Sequence, residues 1–248
     1  MSGLLFSVGG IVELMNMFWI KVIAVVSMLV DHFGLFFFPH SFVLQVAGRI
    51  SFPLFAWLIA NGARYTHDID AYLRRLFMFA LISQVPYYIG YYVSGHFHWF
   101  HNVLFTLFLG LLAIRLTRLT ERKLAWIIAV ISCMGMATLL NTDYGATGVL
   151  SVFAFYLFFN RFAYMALSET LILGIIPLAL YSLVVFTQSN PLPFYYTDRL
   201  EIYGLLALPL IYMYSHERGP RVQYFFYWFF PLQSLAILAL SLLIQRPL

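Results

Sequence analysis

The stretch FWIKVIAVVSMLVDHFGLFFF, residues 18–38, is apolar but for Lys21, Ser27, Asp31 and His32. About 20 apolar residues at a rise of about 1.5 Å each cross the hydrocarbon core of a bilayer, so this stretch reads as a transmembrane helix. Its ionisable pair near the far end is the more telling feature. A charged side chain at the centre of a membrane helix costs roughly 2.5–3.5 kcal/mol on insertion scales. Asp31-His32 therefore has two readings. In one it is a functional pair, the carboxylate holding the imidazole tautomer and raising its basicity for proton transfer. In the other it is a buried polar pair that hydrogen-bonds a neighbouring helix.

The rest of the chain has the same character. It is 62% hydrophobic and 10% charged, against roughly 45–50% and 25% in soluble domains. The fold class is all-α, a polytopic integral membrane bundle formed as a single domain over 1–248. Apolar runs of spanning length fall at about 18–38, 49–64, 73–93, 102–118, 124–140, 146–160, 166–187, 200–214 and 222–244, which predicts nine transmembrane helices. Residues 1–17 include Glu13 and lack a basic n-region and a small-residue cleavage site, so they read as an interfacial or re-entrant lead-in and not as a removable signal peptide. The single cysteine, Cys133, excludes an intramolecular disulfide and a thiolate metal site. His96, His98 and His101 have no Cys and few acids beside them, so they read as wet loop residues and no metal is expected. The basic residues are scattered over loops, which fits membrane orientation and a lipid environment but no nucleic acid partner.

Their distribution is lopsided. With nine helices, one side holds Lys21, Arg64, Arg74, Arg75, Arg115, Arg118, Arg122, Lys123, Arg161, Arg218 and Arg221, and the other holds Arg49, Arg199 and Arg246. The positive-inside rule then places the protein in the inner (cytoplasmic) membrane with its N-terminus in the cytoplasm and its C-terminus outside. Under that topology Asp31, His32, Arg49, Asn102, Asn141, Asp143, Tyr144, Arg199 and Glu201 gather toward the outer side. Lys21 and His32 are eleven residues apart, about 16 Å along one face of the first helix. They line one tunnel, or Lys21 anchors the helix end by snorkelling.

Six segments carry a family resemblance: KVIAVVSMLVDHFG at 21–34, GRISFPLF at 48–55, YLRRL at 72–76, NVLFTLFLG at 102–110, DYGATGVL at 143–150 and YFFYWFFP at 224–231. In this combination and order the chain resembles the TraX family, named for the pilin acetylase of conjugative plasmids. It is also similar to the wider group of membrane acyltransferases in which ten positions separate a basic residue and a His, a spacing that Lys21 and His32 fit. The resemblance implies an acyl-CoA-dependent transmembrane acyltransferase with acetyl-CoA as donor, and the topology puts its acceptor outside the cytoplasm, an amine or hydroxyl of a protein such as the pilin N-terminus or of an envelope glycan or lipid. It makes His32 the general base and Asp31 its partner. Arg49 is then a candidate for the thioester carbonyl or for an ion pair with Asp31, and Asn102 for the carbonyl oxygen. Arg74 and Arg75 become candidates for the donor's phosphates, with Lys21 and Arg64 as further cations on that side. Asp143 and Tyr144 are candidates for the acceptor. The family's last helix reads F-x-P-x-H, whereas this chain reads FFPLQS with Gln233 at that place; Gln hydrogen-bonds but shuttles no proton. With Cys133 placed mid-span, direct transfer in a ternary complex is expected. The rival expectation is a transporter or proton-coupled permease in which Asp31, His32 and Arg49 form a proton relay.

Overall fold

The computed structural model describes residues 15–38, 40–93, 101–187, 200–217, 219–220 and 223–244. The lead-in up to residue 14 lies outside the described residues, as do His96, His98, Arg199, Arg218, Arg221 and Arg246. Helix α1 (Met17–Phe37) starts where the Asn16 side chain accepts the backbone N–H groups of Phe18 and Trp19, an N-cap that satisfies two of the helix's orphan donors.

The chain then returns as α2 (Phe42–Arg49) and, after a break at Ile50, as α3 (Ser51–Tyr65). This corrects the second helix of the sequence reading, which opened at Arg49. Hydropathy reads FVLQVAGR as a loop because Gln45, Gly48 and Arg49 punctuate it, but α1 supports it as a helix. The Ser27 hydroxyl donates to the Ala47 carbonyl at 2.5 Å, one of the acceptors that a helix end leaves open. Two glycines let the backbones close. A Cβ at Gly34 would stand 2.8 Å from that of Leu44, and one at Gly48 would overlap the Asp31 carboxylate, the small-residue contact typical of membrane helices.

The remaining elements are α4 (Ile69–Val93), α5 (Val103–Thr117), α6 (Lys123–Leu139), α7 (Gly145–Leu157), α8 (Phe162–Glu169), α9 (Ile176–Thr187), α10 (Ala207–Tyr212) and α11 (Gln223–Ile244). A π-helical turn, Thr170–Ile175, joins α8 to α9, and a 3-10 segment, Glu201–Leu206, leads into α10. Among the described residues the helices thus make nine passages, one in each apolar run. By length and composition Met17–Phe37, Phe42–Tyr65 and Phe162–Ser182 are long and apolar enough to cross a membrane, while several others are shorter apolar helices.

Packing closes a ring: α1 lies against α3 and α11, α11 against α4, α4 against α5, α5 against α7, and α7 against α3. The seam of α3, α5 and α7 is dry and dense. Phe52, Leu54, Leu107, Leu111, Val152 and Phe155 are fully buried there, and Gly110 admits Val152 where any side chain would collide. Outward, Val43, Leu124, Ile131 and Leu139 are exposed. Soluble proteins rarely present so many large apolar side chains to water, whereas lipid accepts them. This is a helical membrane protein.

Candidate functional site

Successive residues on a helix diverge by about 100°, so Asp31 and His32 leave α1 in different directions. Asp31 turns to α2, where Arg49 Nη2 donates to its Oδ1 at 3.2 Å. His32 turns to α11, where its ring meets Phe230 edge-on with centroids 5.9 Å apart. Its Nδ1 lies 2.9 Å from the Met28 carbonyl and 2.8 Å from Nε2 of Gln233. The functional pair read from the sequence is therefore split: Arg49 is the partner of Asp31, and Met28 and Gln233 are those of His32. Nδ1 is the tied nitrogen. When it carries the proton and donates to Met28, the lone pair sits on Nε2. The Gln233 amide then serves Nδ1 by turning its carbonyl toward it, an exchange of O and N that leaves its shape unchanged.

The second wall of the site is the turn before α7. Backbone bonds tie it to the start of α5: His101 N–H donates to the Asn141 carbonyl at 3.1 Å and Asp143 N–H to the His101 carbonyl at 2.9 Å. The Thr106 hydroxyl bonds both the Asp143 carbonyl and the Thr142 hydroxyl. Gly145 takes a positive φ of 42°, the tight turn that DYGATG implies, but Asn141 and Tyr144 do so too, at 49° and 61°. For a tyrosine this left-handed backbone costs roughly 1–2 kcal/mol. Stacking offsets it, since the Tyr144 ring lies on Phe52 at 3.8 Å with planes 10° apart. So held, the Tyr144 hydroxyl accepts from Arg49 Nη1 at 3.3 Å.

Arg49, with its side chain 14% exposed, thus sits at the centre of the site, and Asp143 and Glu201 lie within its electrostatic reach in addition to Asp31. One guanidinium faces three carboxylates. Burial, against the pull of Arg49 and with the help of Asp31, holds the Asp143 carboxyl above the ordinary carboxylate range. At this site Arg49 Nε is buried without a hydrogen bond among the described residues, and so is the atom of the Gln233 amide that points away from His32 Nδ1. Such orphans in a native fold call for an explanation, and a ligand is one. A cavity of about 10 Å³ adjoins His32, lined by Pro86, Tyr87, Ser234 and Ile237 among others. That is about one water's room.

Asn102 is fully buried beside this site, but its side chain is spent on structure. Its Oδ1 caps α5 by accepting Leu104 N–H, and its Nδ2 donates to the Ala80 carbonyl and to Gln84 Oε1. Gln84, which sequence reasoning passed over, is the buried clamp that holds it. The cations at the other end of the bundle divide. Lys21 is half-buried on α1; Arg75 has a buried Nε without a hydrogen bond among the described residues, as does Asn61 at its Oδ1 on α3; Arg74 is exposed. Arg64 stands apart, with its guanidinium 4.9 Å from the Phe159 ring centroid and facing a different cavity. A further buried group carries a signal of its own in the sequence. Glu169, a lone acid in an apolar run, is 0% exposed and accepts from the Ser151 hydroxyl at 2.7 Å.

A polytopic helical membrane protein that gathers a half-buried histidine, an arginine and several carboxylates at one end of its bundle defines a class with an intramembrane polar site. The chain belongs to the TraX family: the family model described as "TraX protein" matches residues 17–241. It is similar to Protein TraX of Escherichia coli, 28% identical over 222 residues, covering 76% of this chain and 86% of that protein. It is also similar to the probable fimbrial assembly protein FimC, serogroup H1, of Dichelobacter nodosus, 26% identical over 244 residues, covering 92% of this chain and 96% of that protein. No solved structure matches it.

Proposed function

We propose that this protein is a membrane acyltransferase that moves an acetyl group from acetyl-CoA in the cytoplasm to an amine on an extracytoplasmic acceptor, a subunit of a pilus or fimbria. The observation that carries the reading is that His32, with its Nδ1 tied, and Arg49, whose buried Nε lacks a hydrogen bond among the described residues, both lie within electrostatic reach of Asp143. The acceptor nitrogen attacks the thioester carbonyl, Nε2 of His32 takes the proton from that nitrogen, and Arg49 Nε donates to the oxygen as its charge grows. Collapse breaks the carbon–sulfur bond, and the departing thiolate takes the proton from the imidazolium. Asp31 holds Arg49 in place.

Charge supports the choice of an amine acceptor. Asp31, Asp143 and Glu201 against Arg49 leave the site acidic, which favours an amine arriving as its ammonium over an anionic acceptor; the ammonium gives up one proton to water before the neutral nitrogen attacks. Donor phosphates are held at the Lys21 end, where Arg75 brings its unbonded Nε beside the exposed Arg74. The name of the Dichelobacter relative supports a fimbrial acceptor.

The test is transfer of labelled acetyl to a peptide amine by the protein in lipid nanodiscs. His32→Ala is expected to lower kcat by about 100-fold or more with little change in KM for acetyl-CoA. Gln233→His, which restores the family's residue within reach of His32, is expected to keep activity. Retention of more than about a tenth of turnover in His32→Ala would remove the histidine from the base role.

A further inference from the structure

A second cavity, of about 330 Å³, opens at the other end of the bundle, between the last turns of α3, α5 and α7 and the start of α6. Its polar wall is Arg64 and Arg118. Arg118 is fixed: Nε donates to the Tyr156 hydroxyl at 3.1 Å and Nη2 to the Ala63 carbonyl at 2.7 Å, with the guanidinium 5.3 Å from the Tyr156 ring centroid. Arg64 rests on the Phe159 ring and makes no hydrogen bond among the described residues, so its fork is open to a ligand. The opposite wall is apolar, formed by Phe153, Leu157 and Trp126, the last anchored by an indole N–H bond to the Thr120 carbonyl at 2.7 Å. Beyond Trp126 the exposed side chains Leu124, Ile127 and Ile128 of α6 continue that apolar surface. Glu121 is the acid on the rim.

We propose that this cavity is a binding site for the phosphodiester headgroup of a membrane phospholipid. Arg64, whose planar fork is open, takes the phosphate with two parallel bonds, and Arg118 adds its fixed charge and its remaining N–H groups. The acyl chains lie along Phe153, Leu157 and the exposed face of α6. Glu121 selects a headgroup that carries an ammonium after the phosphate. A soluble nucleotide would share the phosphate chemistry, but the route from this cavity to His32 runs into the dry seam of Phe52, Leu107, Leu111, Val152 and Phe155. A donor seated here would have no path to the reacting atoms, whereas a lipid needs none. Aromatic residues at the headgroup level and basic pockets between helices are how membrane proteins hold lipids.

Native mass spectrometry of the purified protein from nanodiscs of mixed phosphatidylethanolamine and phosphatidylglycerol tests this. Wild type is expected to retain one phospholipid, chiefly the ethanolamine form, and Arg64→Gln/Arg118→Gln to retain about ten-fold less or lower, while Arg122→Gln, outside the cavity, behaves as wild type. Equal retention by the double variant overturns the proposal. So does displacement of the lipid by coenzyme A or by inorganic phosphate, which would assign the cavity to a soluble anion. A second measurement needs no arginine variant: brominated phosphatidylethanolamine is expected to quench tryptophan emission of the wild type more than that of Trp126→Phe. Equal quenching of the two would place no lipid there.

Discussion

At the residue scale, the chain's polar groups gather because apolar helices leave them few other places, but their pairings follow from geometry that a string does not carry. Asp31, His32, Arg49, Asp143, Tyr144 and Gln233 could be singled out as polar residues near the ends of apolar runs. That Asp31 serves Arg49 while His32 serves Met28 and Gln233 depends on the phase of α1 and on which helices flank it. Phe52, which holds Tyr144 by stacking, had no polar signal at all. Asp143 gives a prediction with a sign. Burial raises its carboxyl above the unfolded value, so folding favours its protonated form, and the cost of holding it ionised grows as pH rises through the folded value. Asp143→Asn removes that titration. Its melting temperature relative to wild type is expected to be higher at pH 8 than at pH 4, while KM for an amine acceptor rises. A relative stability that does not change with pH would contradict the desolvated carboxylate.

At the scale of elements, each apolar run proved helical, and the misreadings fell at boundaries. The second passage begins at Phe42 because Ser27, Gly34 and Gly48 create the support for a polar-looking segment, and those contacts join residues ten to twenty positions apart. The seventh is broken by the π turn that begins directly after Glu169, and such turns gather at places under constraint. Here the constraint is a carboxyl with one bonded oxygen, Oε2 to Ser151, and one buried oxygen without a hydrogen bond among the described residues. Glu169→Gln keeps an acceptor for Ser151 and is expected to leave stability near wild type. Glu169→Ala strands the hydroxyl in an apolar interior and is expected to lower stability by about 1–3 kcal/mol. Unfolding in mixed micelles measures both, and an alanine variant as stable as wild type would show that the pair contributes nothing.

At the scale of the whole molecule, the fold class was readable from composition because lipid and water demand such different surfaces, and the exposed leucines, isoleucines and valines show that demand being met. The orientation rests on the distribution of arginine and lysine. With the proposed orientation the His32 end is outside and the Arg75 end in the cytoplasm, and the proposed transfer then carries the acetyl group through most of the bundle's depth inside the protein. The dry α3–α5–α7 seam directs any such route to the other side of the ring, along α1, α4 and α11, where Lys21, Arg75 and His32 all reside.

Transfer across a sealed bilayer tests this most directly. Proteoliposomes are loaded with acetyl-CoA labelled in the acetyl group, a peptide with a free amine is supplied outside, and acetyl-peptide is followed over time. For molecules whose cytoplasmic face points inward, the expected result is acetyl-peptide in the outer solution with coenzyme A left within, lowered about 100-fold by His32→Ala. Acetylation that occurs only when donor and acceptor share a compartment would contradict transmembrane transfer, and failure to bind acetyl-CoA at all would leave Asp31, His32 and Arg49 as a proton relay.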